Sequence, residues 1–249
     1  MNMYSESHCH FRAAGDEAYE KAIKAGVELA LTAGIDVAST VEAVDVASKY
    51  GIVKACVGIH PWYADEYSEE NHKKLKALAD NEEVIAVSEI GLDYVGRMTR
   101  QWERSSEVVD HDVQRAAFRG QIGLAKELGL PILVHDRAHG QELLDILEEE
   151  DVKGIGAAIH GFTKDADYAR RAVKMGVYIS IGRSILREEN KDLEEAIAET
   201  PLDWILTETD SGDPTGVILV AEKIAEIKGL TKEEVGLAAT RNLKKLLGL

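Results

Sequence analysis

Residues 112–137, DVQRAAFRGQIGLAKELGLPILVHDR, contain one helix and the strand that follows it. Polar and apolar residues recur at helical spacing over Asp112–Leu128, which predicts a helix with one inward face. The residues of that face are Gln114, Phe118, Gln121, Ala125 and Leu128. The short apolar run Pro131–His135 then predicts a buried strand that ends in a histidine. A helix joined this closely to a buried strand is the repeating unit of a parallel sheet.

The same alternation continues along the whole chain and predicts eight strands. They are Tyr4–His10, Val27–Ala33, Val53–His60, Val84–Leu92, Pro131–His135, Ile155–His160, Val177–Ile181 and Trp204–Glu208. No linker and no change in composition divides the chain, so residues 1–249 are expected to form a single domain. The length of 249 residues also suits an α/β barrel, which commonly has roughly 200–250 residues. The sequence therefore predicts an α/β fold, one closed (β/α)8 TIM barrel, rather than an open doubly wound sheet.

The sequence also predicts where several helices begin and end. Two pairs have the spacing of a capping box, Ser39 with Glu42 and Thr231 with Glu234. Two glycines are expected just after helices, where φ is often positive: Gly51 and Gly229. The long polar connection Val95–Asp112 follows the fourth strand, and long loops in compact domains are usually functional or disordered. That connection is a candidate lid.

The chain is strongly acidic, with 29 Lys and Arg against 45 Asp and Glu and a formal charge of −16. Binding to long nucleic acid depends on basic side chains that release counterions from phosphates, so this charge argues against a protein that coats DNA or RNA. A nuclease remains compatible with the charge, because a metal site can hold one phosphate locally. Short or single-stranded nucleic acid therefore stays among the expected partners.

The cysteine count and the first residues indicate a cytoplasmic protein. Cys9 and Cys56 are too few for a disulfide framework and are expected to be reduced thiols. The N-terminal residues have neither the positive charge nor the apolar stretch of a secretory signal. No apolar run approaches the ~18 residues that a membrane helix needs. We expect no association with a membrane.

Polar side chains collect where the predicted strands end, which is where the active sites of such barrels lie. Five of the eight histidines fall there with three carboxylates: His8, His10, His60, His135 and His160 with Glu89, Glu208 and Asp210. His8 and His10 lie two residues apart, so both imidazoles face the same side of a strand. Convergent imidazoles and carboxylates supply nitrogen and oxygen ligands for two divalent metal ions, and Glu89 could bridge both. These ligands suit Zn, Mn, Fe or Ni, and Mg where oxygen ligands dominate.

Six segments at the strand ends form an ordered set along the chain. They are Glu6-Ser7-His8-Cys9-His10-Phe11, Gly58-Ile59-His60-Pro61-Trp62, Glu89-Ile90-Gly91-Leu92-Asp93-Tyr94, Pro131-Ile132-Leu133-Val134-His135-Asp136-Arg137, His160-Gly161-Phe162 and Thr207-Glu208-Thr209-Asp210. In order and spacing they resemble the motifs of the TatD-like metal-dependent hydrolases. The resemblance implies a TIM-barrel hydrolase of the amidohydrolase superfamily, with metal-dependent deoxyribonuclease or related phosphodiesterase activity.

The resemblance also implies a role for each metal-binding residue. It makes His8 and His10 ligands of one metal ion and His135 and His160 ligands of the second. Glu89 becomes the carboxylate that bridges the two ions. Many amidohydrolase relatives use a carbamylated lysine as the bridge, but no lysine stands at the end of the fourth strand here.

Two further site residues and three departures follow from the same resemblance. Asp210 is implied to be a metal ligand that also accepts a proton from water, while His60 lies beside the metals or contacts substrate. Glu6 stands where the family usually has Asp, and Ser88 where it usually has Gly. Residues 211–214, Ser-Gly-Asp-Pro, replace the usual stretch after the metal-binding Asp and leave the identity of the substrate open.

Our hypothesis is hydrolysis of a phosphodiester by water activated at a binuclear metal centre. The remaining phosphate oxygens need cationic partners, and Arg137 and Arg183 follow the fifth and seventh strands directly. Trp62 and Tyr94 also follow strand ends and are candidates for lining the substrate pocket. No protein partner is implied.

The connection after the fourth strand holds a local basic patch, in which Arg97, Arg100 and Arg104 surround Trp102. One interpretation is a solvated loop whose arginines pair with acidic neighbours. The other is a lid that stacks a base on Trp102 and binds phosphates. The sequence leaves both interpretations open.

Two alternative functions use the same residues. The first is an amidohydrolase-type enzyme that cleaves a C–N bond, a carboxylic ester or a lactone with the same metals. The second is a metal-binding module without turnover, which the complete set of ligands argues against. The sequence has no Gly-x-Gly-x-x-Gly, P-loop or Gly-x-Ser-x-Gly pattern, so nucleotide cofactors and serine hydrolysis have no support.

Overall fold

The computed structural model describes residues 3–11, 15–97, 105, 107–187 and 190–249. Eight parallel strands form one sheet in which each strand pairs with the next in sequence order. They are β1 (Tyr4–Cys9), β2 (Val27–Ala33), β3 (Val53–Val57), β4 (Val84–Asp93), β5 (Ile132–Arg137), β6 (Ala157–His160), β7 (Val177–Ile181) and β8 (Ile205–Thr207). Helices alternate with these strands, so the predicted (β/α)8 barrel is confirmed.

The α-helices that follow the strands lie outside the sheet. They are α1 (Asp16–Ala25), α2 (Val37–Lys49), α3 (Glu69–Leu78), α4 (His111–Leu128), α5 (Glu142–Glu149), α6 (Ala166–Lys174), α7 (Lys191–Glu199), α8 (Val217–Lys228) and α9 (Lys232–Leu247). Short 3₁₀ helices at Pro61–Glu66 and Arg183–Leu186 follow β3 and β7. The turns after these two strands therefore have defined structure at the rim of the barrel.

The first and last strands approach each other and nearly close the barrel. Just beyond β8, the Asp210 N–H donates to the His8 carbonyl at 3.0 Å. The buried Glu6 carboxylate accepts the Thr209 N–H at 2.9 Å and the His8 N–H at 3.1 Å. These bonds hold the segment after β8 against the end of β1, which brings two predicted metal ligands together.

The start of α2 differs from the prediction of a capping box at Ser39 and Glu42. The helix begins one turn earlier, with Asp36 as its N-cap. The Asp36 carboxylate accepts the Ser39 N–H at 2.7 Å, and the Ser39 hydroxyl accepts the Asp36 N–H at 3.1 Å. The prediction was wrong because Ser39 closes the box from its third helical position instead of opening it.

Two predicted helix ends have different outcomes. Gly51 does not end α2, because the helix stops at Lys49 and Tyr50 takes an extended conformation with φ −122°. Gly229 does follow α8 directly and has φ +65°, as predicted. The capping box at Thr231 and Glu234 is also confirmed, at the start of α9.

Strand β3 is shorter than predicted, and this changes where His60 lies. The strand ends at Val57 instead of continuing to His60. Beyond Val57, the Ile59 N–H and carbonyl bond to the Gln121 side chain instead of to a neighbouring strand. His60 is instead the N-cap of the 3₁₀ helix Pro61–Glu66.

Two buried glutamines on the inward face of α4 hold the ends of β3 and β4. The Gln121 side chain accepts the Ile59 N–H at 2.7 Å and donates to the Ile59 carbonyl at 3.0 Å. The Gln114 side chain makes the same pair of bonds with Asp93, at 2.8 and 2.9 Å. Each amide replaces a neighbouring strand, so backbone groups that would otherwise be buried without partners are satisfied. Helix α4 thereby fixes the residue before His60 and the last residue of β4.

An apolar floor lies beneath the site inside the barrel. Leu133 is two residues before His135 on β5, so both side chains face the same way. Leu133 packs in a buried cluster with Ala158, Leu206 and Leu246, the last of which belongs to α9. The polar ends of the strands therefore rest on a layer that excludes water, which strengthens electrostatic interactions above it.

Only part of the candidate lid Val95–Asp112 lies within the described residues. Within this connection, the Ser105 N–H donates a hydrogen bond to the Arg97 carbonyl at 2.8 Å. The predicted patch residues Arg100, Trp102 and Arg104 lie outside the described residues, so its two interpretations stay open.

In the described parts of the chain, no helix combines the length and the apolar composition that crossing a membrane requires.

Candidate metal centre

The structure brings all six predicted metal ligands together at the C-terminal ends of the strands. Glu89 on β4 lies at the centre of the group. Its carboxylate oxygens are 3.5 Å from His8 Nε2, 3.7 Å from His10 Nε2, 3.3 Å from His135 Nδ1 and 3.0 Å from His160 Nε2. Asp210 Oδ1 completes the set at 3.1 Å from His10 Nε2.

The charge of Glu89 depends on the imidazoles around it. Burial alone would raise the pKa of this carboxyl group. The neighbouring His160 imidazole opposes that effect, and the pKa lies well below its ordinary value. Glu89 is therefore a buried carboxylate anion near neutral pH, which is the form that binds a metal ion.

The pattern of missing hydrogen bonds fits a bound cation. Among the described residues, neither ring nitrogen of His8 has a hydrogen-bond partner, and Glu89 Oε2 also lacks one. Burial lowers the pKa of His8 and the nearby His160 imidazole lowers it further, so the ring is neutral. Buried polar atoms without partners are rare and need an explanation. A metal ion held between His8 Nε2 and Glu89 Oε2 supplies one for these two atoms.

The donor atoms also fall into groups small enough to surround single ions. Among the described residues, three groups have their donor atoms within 4.8 Å of one another: His8 with Glu89 and His160, His8 with His10 and Asp210, and His60 with Glu89 and His135. His135 Nδ1 and His160 Nε2 are 3.2 Å apart. Two nitrogen ligands of one tetrahedral zinc ion lie about 3.3 Å apart, because each Zn–N bond is about 2.0–2.1 Å long. The residues present therefore fit divalent metal ions.

His10 presents one ring nitrogen to this group and uses the other to hold its orientation. Its Nδ1 atom lies 3.0 Å from the Ala33 carbonyl, which can only accept, so Nδ1 carries the proton. Burial lowers the pKa of His10, but Asp210 and Glu89 raise it to about 9. The Nε2 atom faces Asp210.

Asp210 differs from the other carboxylates of the site in exposure and in backbone conformation. Its side chain is 53% exposed, whereas that of Glu89 is 5% exposed. Its φ is +50°, a left-handed value that is uncommon for a residue other than glycine. Backbone strain of this kind often occurs at functional sites. Asp210 can therefore contact both the buried histidines and a solvent molecule.

His60 lies beside Glu89, with its Nε2 atom 3.5 Å from a carboxylate oxygen. Its Nδ1 atom accepts the Trp62 N–H at 3.0 Å and so carries no proton. Burial lowers the pKa of His60 well below its ordinary value, so the ring is neutral and its proton is on Nε2. His60 is thus oriented as a hydrogen-bond donor toward Glu89.

The structure places the predicted substrate residues in different surroundings. Arg137 lies against the residue that follows His160, since its Nη1 atom donates to the Gly161 carbonyl at 3.2 Å. Arg183 is exposed at the rim, at the start of the 3₁₀ helix after β7. The Tyr94 ring stacks on His111 with centroids 3.6 Å apart, so one of its faces is covered.

Trp62 lines a cavity of about 300 Å³ next to the site. The cavity lining also includes Tyr63, Asp93 and Arg97. The Arg97 guanidinium lies 4.7 Å from the centre of the Tyr63 ring, a cation–π contact. The Trp62 indole N–H donates to Asp93 at 2.9 Å and is therefore already occupied.

Two buried carboxylates lie next to the histidines, and neither was predicted to bind metal or substrate. Asp93 Oδ2 lies 2.9 Å from His135 Nε2. Glu208 Oε1 lies 3.6 Å from His160 Nδ1 and accepts the Gly161 N–H at 2.6 Å. One sequence signal was available for Asp93: it is four residues after Glu89, so in an extended β4 both face the same side.

Comparisons with known proteins agree with this site. A sequence model of the family described as TatD related DNase matches residues 6–248. The protein named "Uncharacterized metal-dependent hydrolase YabD" from Bacillus subtilis (strain 168) is 34% identical over 261 residues, covering 98% of each chain. "Deoxyribonuclease TATDN3" from Homo sapiens is 31% identical over 266 residues, covering 97% of this chain and 93% of its own.

A solved structure shows the same architecture. The crystal structure of YJJV, the TatD homolog from Escherichia coli k12, matches with a TM-score of 0.86 and 25% sequence identity. The match covers 100% of this chain and 99% of that chain.

The fold and the site together define a class: a (β/α)8 barrel with histidines and carboxylates gathered at the strand ends to bind divalent metal. The family match extends over nearly the whole sequence. The chain therefore belongs to the TatD related DNase family, a family of metal-dependent hydrolases.

Proposed function

We propose that this protein hydrolyses phosphodiester bonds, with deoxyribonucleic acid or a related short or single-stranded nucleic acid as substrate. The observation that carries the proposal is the position of Glu89, a buried anion within 3.7 Å of five histidines at the barrel mouth. A relative with 31% identity, human TATDN3, is named a deoxyribonuclease. The proposal treats residues 1–249 as one catalytic domain.

The proposed cofactor is a pair of divalent ions that share Glu89. His8 and His10 would hold the first ion, with Asp210 as a further ligand, and His135 and His160 the second. When bound, such ions lower the pKa of water and neutralise negative charge on a phosphoryl oxygen. Imidazole and carboxylate ligands suit Zn, Mn, Fe or Ni, with Mg also compatible.

Asp210 is proposed to orient the attacking water and accept its proton. The side chain is exposed enough to contact solvent, and His10 holds its Oδ1 atom at 3.1 Å. The hydrogen bond from His10 holds the pKa of Asp210 below its ordinary value, so the carboxylate is ionised.

The substrate is proposed to meet donors on two sides of the metal site. Arg137, next to Gly161, is placed to match phosphate oxygens, and exposed Arg183 is proposed to bind a neighbouring phosphate. His60 is proposed to lie beside the substrate, with its Nε2–H directed toward Glu89. Trp62 and Tyr94 are proposed to line the pocket with the parts of their rings that remain uncovered.

The proposed setting is the cytoplasm. Both cysteines, Cys9 and Cys56, are free and buried, as expected for a protein in a reducing compartment.

The test is a panel of substrates given to protein reconstituted with Mn, Mg or Zn in turn. Bis-p-nitrophenyl phosphate and a short single-stranded oligonucleotide represent phosphodiesters, and amides and lactones represent the alternative. We expect release from the phosphodiesters that chelator and His135→Ala both abolish. Turnover of amides or lactones alone would contradict the proposed substrate and support the amidohydrolase-type alternative.

A further inference from the structure

Asp93 is a buried carboxylate whose position is fixed from every side. Its backbone N–H and carbonyl are both bonded to Gln114. Its Oδ1 atom accepts the N–H groups of Val95 and Gly96 at 2.9 and 3.1 Å. Its Oδ2 atom accepts the Trp62 indole N–H at 2.9 Å. The side chain therefore cannot rotate without breaking three bonds to groups that can only donate.

The fourth neighbour of this carboxylate is His135, whose Nε2 atom lies 2.9 Å from Oδ2. An ionised carboxylate only accepts hydrogen bonds, so Nε2 carries a proton. A metal ion can then bind His135 only at its other ring nitrogen, Nδ1. That atom lies 3.3 Å from Glu89 Oε1 and 3.2 Å from His160 Nε2, at the centre of the metal site.

We infer that Asp93 is a positioning residue. It holds His135 in the tautomer that carries its proton on Nε2, which is the only tautomer able to bind metal through Nδ1. The inference rests on the proposed function, in which His135 is a metal ligand. It adds a residue to that site and gives Trp62 a second role, since the indole N–H helps to fix Asp93. Partners of this kind, which bond to the far nitrogen of a metal-binding histidine, set its ring form and orientation.

His160 shows the opposite arrangement, which makes the contribution of Asp93 specific. His160 faces Glu89 through Nε2, and its Nδ1 atom faces Glu208 at 3.6 Å. Two neighbouring histidines thus direct different nitrogens at the same place. Each histidine has its own carboxylate beside the ring nitrogen that faces away from Glu89. The contact between Asp93 and His135 is shorter than the contact between Glu208 and His160.

The substitution Asp93→Asn tests the inference because an amide cannot satisfy all four donors. An asparagine side chain has one accepting oxygen and one donating NH2 group. With its oxygen held by the N–H groups of Val95 and Gly96, its NH2 points at Trp62 and His135. His135 is then favoured in the form in which Nε2 accepts and Nδ1 carries the proton, which blocks metal binding at Nδ1.

Two measurements follow. Nitrogen NMR of the metal-free protein reports which ring nitrogen of His135 is protonated, and calorimetric titration with Mn²⁺ reports the number and affinity of bound ions. We expect wild type to protonate Nε2 and to bind two ions. We expect Asp93→Asn to protonate Nδ1 and to bind one of the two ions about 10–100-fold more weakly. Asp65→Asn, an exposed aspartate near the same cavity, is the matched control and should behave as wild type.

The outcomes separate this inference from the proposed function. Protonation of Nδ1 in the wild-type protein would overturn the inference, and this measurement does not require any variant to fold. Wild-type affinity for both ions in folded Asp93→Asn would also overturn it. If wild type bound no Mn²⁺, the proposed function would fail and take the inference with it, whereas failure of the inference alone leaves wild-type metal binding intact.

Discussion

The Nδ1 atom of His135 lies 3.2 Å from the Nε2 atom of His160, and both atoms face the carboxylate of Glu89. The two histidines come from adjacent strands whose registers align them as partners. In the proposed function these two imidazoles hold one divalent ion, and His8 and His10 hold the other across Glu89.

Glu89→Gln should remove metal binding while leaving the barrel folded. A neutral amide cannot offset the charge of two divalent ions. The loss of metal affinity should therefore exceed the loss of about 10–100-fold that follows when a metal ligand loses its hydrogen-bond partner. Calorimetric titration with Mn²⁺ measures it. Glu83→Gln, just before the other end of the same strand, should keep wild-type affinity. Equal affinities for Glu89→Gln and wild type would remove Glu89 from the centre of the site.

Asp210→Asn should lower kcat by about 10²–10⁴-fold at saturating metal, because the amide cannot accept the proton from water. Hydrolysis of bis-p-nitrophenyl phosphate measures kcat. Asp203→Asn changes an aspartate near the opposite end of β8 and should leave kcat unchanged. An unchanged kcat in Asp210→Asn with metal still bound would show that another group accepts the proton.

Chelator should lower the melting temperature of the wild-type protein. Metal binding gives partners to His8 Nε2 and Glu89 Oε2, which lack them among the described residues. At a free metal concentration about 1,000 times Kd, binding adds about 4.1 kcal/mol of stability. For a chain of this size, each kcal/mol shifts Tm by about 2–4 °C. Scanning calorimetry measures the shift, and the same Tm with and without chelator would mean that no metal binds.

Arg137→Met should weaken the binding of phosphate groups. A hydrogen bond to a charged group contributes about 1.5–3 kcal/mol, which corresponds to roughly a 10–100-fold rise in KM for a phosphodiester. Inhibition by inorganic phosphate should weaken in parallel. Arg241→Met removes an exposed arginine that pairs with Asp203 and should change neither quantity. If Arg137→Met kept wild-type KM and phosphate inhibition, Arg137 would not be a phosphate partner.

Gly91→Ala should destabilise the fold by about 3 kcal/mol or more through backbone strain and a clash. Gly91 has φ +143°, and a Cβ there would lie 2.0 Å from the His135 carbonyl oxygen. Gly123→Ala is the control, since a Cβ at that position in α4 meets nothing within 4 Å. It should stabilise the helix by about 0.5–1 kcal/mol. Urea unfolding of both variants measures the difference, and equal stabilities would contradict the close approach of β4 and β5.

The sequence predicted the features of the site that depend on local spacing. His8 and His10 share a face because strand side chains alternate, and Glu89 and His135 follow from strands whose ends were placed within a few residues. The inward face of α4 was predicted from helical spacing, including the two glutamines. What that spacing could not show is that Gln114 and Gln121 bond to the ends of β3 and β4, since those contacts join distant parts of the chain.

The orientation of each ring depends on partners from other strands and was not predictable from the sequence. The Ala33 carbonyl on β2 determines which ring nitrogen of His10 carries the proton, and the Asp93 carboxylate on β4 does the same for His135. Asp93 was missed because the predicted β4 stopped one residue short of it. Trp62 was predicted to line the substrate pocket because it follows the end of a strand. The sequence could not show that its indole N–H donates to Asp93, since that contact joins distant parts of the chain.

The most direct test of the central claim is a titration of metal-free protein with Mn²⁺ in which hydrolysis of bis-p-nitrophenyl phosphate is recorded at each addition. If two ions share Glu89 and both take part, the rate rises and levels off at two equivalents per chain. A plateau at one equivalent, or no phosphodiester hydrolysis at any metal concentration, would contradict the account.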